Sequence, residues 1–266
     1  MANDNKQKHG APASGLTLGE SSAGAGAIGL FGFLAITALA LLLFIAESFF
    51  LSMLLMSFAL LVYVAGTELH KLAVASLQVF FSSRHIIPNA GHVQQTVSAL
   101  RRHLHLRKDD AGLVKAGPIE KGTKIKLPDN PLVRDLQAVL KREKGPEYSQ
   151  FVAHEYYVDC REVYDHFHAH LEFVAGVMPL LGLIGTVVGL IGMFDKLGPN
   201  TSVETLAPEL AISLQTTLYG AVLASAYTVI ASRFDQRIKS LEYDYDILCY
   251  AIDLLIKNEA VIEVEA

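Results

Sequence analysis

The amino-acid sequence predicts an all-α membrane protein with four transmembrane helices and long helical cytoplasmic extensions. Three observations carry this prediction. Hydrophobic residues make up 52% of the 266-residue chain and charged residues only 18%, against about 25% charged in an ordinary soluble domain; mean hydropathy is +0.35. The apolar residues gather in four runs free of Asp, Glu, Lys and Arg, at 21–46, 48–67, 173–194 and 210–232, each reaching the ~20 residues needed to cross a bilayer. Finally, fifteen of the 22 Lys and Arg residues lie between the second run and the third, and such residues stay on the cytoplasmic side.

Taken in order, residues 1–26 are expected to form a disordered cytoplasmic tail, since 1–20 is polar and 21–26 is small. The apolar stretch that follows is longer than the 7–15 residues of a signal-peptide core and runs on into a second span. Residues 27–67 therefore read as a transmembrane helical hairpin, with Glu47 at a very tight turn. Residues 68–172 read as a cytoplasmic helical domain. Within it Leu132, Leu136, Val139 and Leu140 repeat at helical spacing after the Pro128–Pro131 breaker. A helix beginning near Glu147 is expected to run into the third span. The stretch 108–131, rich in Gly, Pro and Lys, pairs as a small hairpin or stays a loop. Residues 173–232 hold the third and fourth spans. Residues 233–266 read as a cytoplasmic helix and tail, with Ile238, Leu241, Tyr245, Leu248 and Ile252 on one face. Both chain ends and the long middle segment then lie inside. Cys160 and Cys249, far apart and without a CxxC, remain unpaired thiols in a reducing compartment.

Composition also excludes functions. A net charge of −5 offers no global basic field to a phosphate backbone, so no nucleic-acid partner is expected. No Ser/His/Asp elbow, P-loop or dinucleotide fingerprint is present, so the chain is not read as an enzyme. His166 and His170, spaced i and i+4, follow Asp159 and Glu162; such a cluster suits zinc or nickel, but a polar helix face at the membrane surface explains it better and no metal is expected. Arg101 and Arg102 beside His103 and His105 form a small basic patch suited to anionic lipid heads or a partner loop.

The third span carries Gly182, Gly185, Gly189 and Gly192 on one helix face, at steps of three, four and three. Such a face permits a very close helix contact, either within the chain or around a partner helix. Thr186 lies beside it, able to bond its own Gly182 carbonyl. Pro179 lies near the cytoplasmic end, where it removes a helical bond and acts either as a static kink or as a hinge. The fourth span has its own small and more polar stripe: Ser213, Thr217, Gly220, Ala224 and Thr228, with Thr216 adjacent. No ionisable residue lies inside any span, whereas ion carriers usually place one at depth. The chain therefore carries no ion, or a partner helix brings the carboxylate.

These residues resemble a known family. Gly182-Leu-Ile-Gly-Thr-Val-Val-Gly-Leu-Ile191 is similar to the third-span motif of the MotA/TolQ/ExbB motor subunits. Thr216-Thr-Leu-Tyr-Gly-Ala-Val-Leu223 is similar to the fourth span of the PomA branch, and Met178-Pro179 to the Met-Pro of MotA-type chains. Two amino-terminal spans fit the MotA layout, and Ile212 stands where TolQ and ExbB have Glu. The resemblance implies a homopentamer around two copies of a single-span MotB/ExbD-like subunit carrying the ion-binding Asp. It implies that the pentamer turns as H+ or Na+ passes, and that no resident cofactor is needed. By motif match Thr186, Thr216 and Thr217 line the ion path, and Gly182, Gly185, Gly189, Gly192, Ser213 and Gly220 pack around the partner. Pro179 becomes the hinge. A different class remains open: a membrane-anchored structural or signalling scaffold that moves no ions.

Overall fold

The structure is a computed structural model and describes residues 23–81, 87–108, 114–115, 121–141, 146–198 and 202–265. The expected tail 1–26 lies outside them except for its last four residues, which are helical.

Two helices dominate. α1 (Ala23–Ile45) and α2 (Phe49–Ala65) form an amino-terminal hairpin, a 3-10 turn (Gly66–Glu68) leads to α3 (Leu69–Phe81), and α4 (Pro88–Leu104) follows. Short strands β1 (Arg107–Lys108), β2 (Val114–Lys115) and β3 (Lys124–Pro128) precede α5 (Pro131–Lys141). Then come α6 (Pro146–Asp195), α7 (Val203–Lys257) and β4 (Val261–Glu265). α6 has 50 residues and α7 has 55, which at 1.5 Å per residue is about 75 Å and about 83 Å, well over twice a bilayer core of about 30 Å. Both helices therefore carry an apolar half and a polar half without a break. Their pairing is antiparallel: Tyr157 stacks on Tyr245 at 4.4 Å between ring centroids, Tyr164 meets Phe234 at 6.4 Å, and Gly189 meets Glu209 and Ser213.

The main core sits between the polar halves. Leu100 and Leu104 of α4, Leu132 and Leu136 of α5, Tyr164 and Phe167 of α6, and Phe234, Leu241 and Leu248 of α7 are buried together. Asn130 organises one edge of it. Its Oδ1 accepts from the Val133 N–H at 2.9 Å, capping α5, and its Nδ2 donates to Thr96 Oγ1 at 3.0 Å; the Asn thus satisfies two buried groups at once. A smaller apolar cluster of Met53, Leu60, Val174, Met178 and Leu223 fixes the amino-terminal hairpin to α6 and α7. Among the described residues three helical stretches are long and apolar enough to cross a membrane, Phe49–Phe81, Tyr148–Asp195 and Val203–Lys257. α1 contributes a shorter apolar stretch, Gly29–Ile45. It packs closely on α2, where Ser52 Oγ donates to the Ala40 carbonyl at 2.8 Å. Glu47 makes the tight turn between them with φ 61°, a conformation costly for a side chain.

Among the described residues the regular structure is helical apart from two two-stranded sheets, and these refine the sequence reading. β1 pairs antiparallel with β2, the small hairpin anticipated in 108–131. β3 pairs instead with β4, in parallel, with Ile125 opposite Ile262 and Leu127 opposite Val264. The segment 233–266 is thus not helix and tail alone. Its last residues alternate Val-Ile-Glu-Val-Glu, a strand pattern. Gln137 Nε2 bonds the Ile262 carbonyl at 2.9 Å and Lys124 pairs with Glu263 at 2.6 Å.

Candidate functional site

The site is built where the apolar halves of α6 and α7 touch. The glycines set the distance. A Cβ on Gly182 would lie 3.1 Å from the Thr216 carbonyl oxygen, and one on Gly185 would lie 2.5 Å from Thr216 Cβ. One on Gly189 would lie 2.8 Å from the Glu209 carbonyl oxygen, and one on Gly192 would lie 2.7 Å from Glu209 Oε2. From the other side, a Cβ on Gly220 would lie 2.8 Å from the Met178 carbonyl oxygen. Within the chain the glycine stripes, with Ser213 and Gly220, meet each other, because small residues on both helices let the backbones approach. The expected packing of the same residues around a partner concerns a chain that is not present here.

Close approach brings hydroxyls of both helices onto one carbonyl. Thr186 Oγ1, Thr216 Oγ1 and Thr217 Oγ1 each lie 3.2 Å from the Ser213 carbonyl oxygen. In return, Ser213 Oγ donates to the Thr186 carbonyl at 3.2 Å. Thr186 Oγ1 also reaches the Gly182 carbonyl at 3.1 Å and makes a short hydrogen bond with Thr217 Oγ1. The three threonines differ in access. Thr217 is exposed and Thr186 half-buried, whereas Thr216 is fully buried against Gly185, its hydroxyl turned to the Ile212 and Ser213 carbonyls of its own helix. Thr216 therefore supports the contact, and the accessible pair is Thr186 with Thr217. Ser213 matters through its main-chain oxygen as well as its side chain. Its type places a hydroxyl on the stripe, but nothing in the sequence marks that oxygen as the point where three hydroxyls meet.

The flanks of the hairpin are unequal. α2 covers one: Phe50 packs edge-on against Tyr219 at 5.3 Å, and Tyr227 Oη donates to Ser57 Oγ at 3.1 Å. Thr217, two residues from Tyr219 and so about 200° around the helix, lies on the opposite flank. At the loop end of the hairpin Lys196 pairs with Glu209 at 2.5 Å. Pro179 lies exposed on α6, which continues through it as a helix.

The histidine cluster lies at the polar side of the same helices. His166 and His170 pack edge-on with centroids 4.1 Å apart, and His166 Nε2 is 3.6 Å from Glu68 Oε2. Among the described residues no group of three or more His, Cys, Asp and Glu is arranged to hold a metal ion. Burial, helped by His166 and opposed by Glu68, holds His170 down to about 4, so it is neutral at physiological pH. The depressed value means that the unfolded chain binds a proton first as pH falls. Stability carried by neutral His170 is thus complete above the ordinary value of 6.5 and is lost between 6.5 and about 4. Thermal unfolding followed across that window is expected to show a falling melting temperature, and His170→Gln should flatten that part of the curve.

Comparison with known proteins shows what the chain is similar to. Residues 125–247 match the model of the MotA/TolQ/ExbB proton channel family. A Motility protein A of Aquifex aeolicus is 38% identical over 71 residues, 27% of each chain. A Motility protein A of Cereibacter sphaeroides is 25% identical over 181 residues, 63% of this chain and 64% of the relative. The Chemotaxis protein PomA of Vibrio alginolyticus is 41% identical over 49 residues, 18% of each chain. The chain thus spans about a quarter of the first relative's length and less than two thirds of the second's. The segment that holds the site, a little under half of the chain, is thus similar to the MotA/TolQ/ExbB proton channel family, and within that family to the MotA and PomA branch.

Proposed function

We propose that this protein is a multi-pass subunit of a bacterial inner-membrane stator or energiser. Five copies surround two copies of a single-span MotB/ExbD-like partner, and passage of H+ or Na+ is converted into rotation or mechanical work. The observation that carries the reading is the Thr186–Thr217 hydroxyl pair, which converges on the Ser213 carbonyl on the flank that α2 leaves open. Hydroxyl and carbonyl oxygens are suitable ligands for a hard cation or a proton-carrying water, yet the spans contain no carboxylate of their own. An Asp on a partner helix lying against this flank completes the path. The ion is cargo, and no resident cofactor is part of the proposal.

In this reading α1 and α2 form the first two of four spans, residues 68–172 and 233–266 are cytoplasmic, and both termini lie inside, following the distribution of Lys and Arg. The polar halves of α6 and α7 carry motion from the membrane to the cytoplasmic core. Pro179 joins the two halves of α6, where its missing N–H leaves the Ala175 carbonyl without its helical donor. Pro179→Ala restores that bond. It is expected to assemble normally and to slow the transport cycle several-fold, read as ion flux per assembled complex; an unchanged rate would make the proline a static feature. The test of the whole reading is native mass spectrometry of the chain purified with its partner. Five copies with two partner chains support it. A partner-free monomer or dimer overturns it and favours the membrane scaffold.

A further inference from the structure

α3 and α7 enclose a feature that the ion path does not use. The carboxyl-terminal half of α3 faces residues 225–230 of α7 across an open groove of about 550 Å³. Its walls include Leu77, Phe80 and Phe81 of α3 and Val229 and Ile230 of α7, with Ser76 and Ser225 as the polar residues. They are almost wholly apolar, and Leu77, Phe81 and Val229 are 60%, 87% and 53% exposed. At the groove's polar end the Arg233 guanidinium lies 5.7 Å from the Phe80 ring centre. Arg233 is the first charge after the apolar run 210–232, so it stands at the membrane boundary. It is exposed and donates a hydrogen bond to Gln236 Oε1 at 3.3 Å. Among the described residues no carboxylate pairs with it, the neighbouring Asp235 being taken by Lys239 at 2.7 Å.

We propose that this groove binds an anionic phospholipid, one acyl chain lying between α3 and α7 and the headgroup phosphate on Arg233. The apolar walls, with room comparable to a single acyl chain, match a lipid tail. A guanidinium matches a phosphate bidentately, and its placement at the apolar boundary matches headgroup depth. A second copy of the chain would fill the walls but would need to bring an anion to Arg233; the lipid supplies both parts. The site requires 210–232 to lie in the bilayer and α3, at the start of the cytoplasmic segment, to lie along its inner surface, and it does not depend on ion coupling.

The test is native mass spectrometry of the full-length protein titrated with phosphatidylglycerol or phosphatidylcholine in a mild detergent. Wild type is expected to retain the anionic lipid about five-fold more strongly, the preference of one cation near a headgroup. Arg233→Gln abolishes the preference and Arg233→Lys keeps most of it. Lys257→Gln, away from the groove and paired with Asp253, leaves it intact. Phe80→Ala weakens retention of both lipids, since it opens a wall and retains the charge. Equal retention of the two lipids by wild type, or an undiminished preference in Arg233→Gln, overturns the proposal. So does a lipid-free oligomer in which Leu77→Cys is shielded from a thiol reagent, because the occupant is then another copy of the chain.

Discussion

Thr217→Val is expected to assemble like the wild type and to lose ion-coupled activity by at least about 100-fold, the scale seen when one positioned polar group is removed from a reacting charge. Valine keeps the branching and volume of threonine, and position 217 is exposed, so the substitution leaves no cavity. It removes the hydroxyl that bonds Thr186 and points at the Ser213 carbonyl. An ion stepping onto the hairpin then loses a ligand while the helix contact, made by Gly182, Gly185, Gly189 and Gly220, stays as it was. Thr216→Val is the informative companion. Its hydroxyl is buried and bonded to its own helix, so it is expected to retain much more activity than Thr217→Val. Flux into proteoliposomes containing the purified complex reads both. Wild-type flux in Thr217→Val would remove that hydroxyl from the path.

Gly189→Val is expected to fail at an earlier stage, in assembly. A Cβ there comes within 2.8 Å of the Glu209 carbonyl oxygen and 2.9 Å of the Ser213 nitrogen. Both are main-chain atoms, which cannot rotate aside, so α6 and α7 must separate. Overpacking of this kind costs about 1–3 kcal/mol, and here it also pulls Ser213 Oγ from the Thr186 carbonyl. Loss of the homogeneous oligomer and a lower unfolding temperature are the expected readouts. Gly176→Ala is the control on the same helix: nothing lies within 4 Å of its Cβ, and alanine is the better helix former by about 1 kcal/mol. If Gly189→Val assembled as well as Gly176→Ala, the close contact of the two helices would be refuted.

The elements legible beforehand are those that depend on local pattern. The helical course of 173–194 and 210–232 follows from long uncharged runs, and the helices at 131–141 and 233–257 follow from apolar spacing. The turn at Glu47 follows from a lone charge between two such runs. The threonines and glycines of the third and fourth spans were visible as stripes. Their assignment was not: a stripe of small residues specifies that something comes close, and leaves open which helix it is. The β3–β4 pair shows the same limit. Val261–Val264 alternates as a strand should, but its partner at Lys124–Pro128 is reached only after α5, α6 and α7 have brought the two ends together.

By itself, then, the sequence determined the helical class, the long apolar runs, the absence of charge within them and the glycine and hydroxyl residues of their stripes. Hydrophobic patterning is a local property, and each of these can be read from a window of about twenty residues. The tertiary structure alone decided that the two glycine faces close on each other, that three hydroxyls converge on the Ser213 carbonyl, and that Thr217 faces outward while Thr216 is buried. Those facts depend on the rotation of α6 and α7 about their axes. That rotation is set by close contacts between residues distant along the chain, chiefly the glycines against Thr216, Glu209 and Met178.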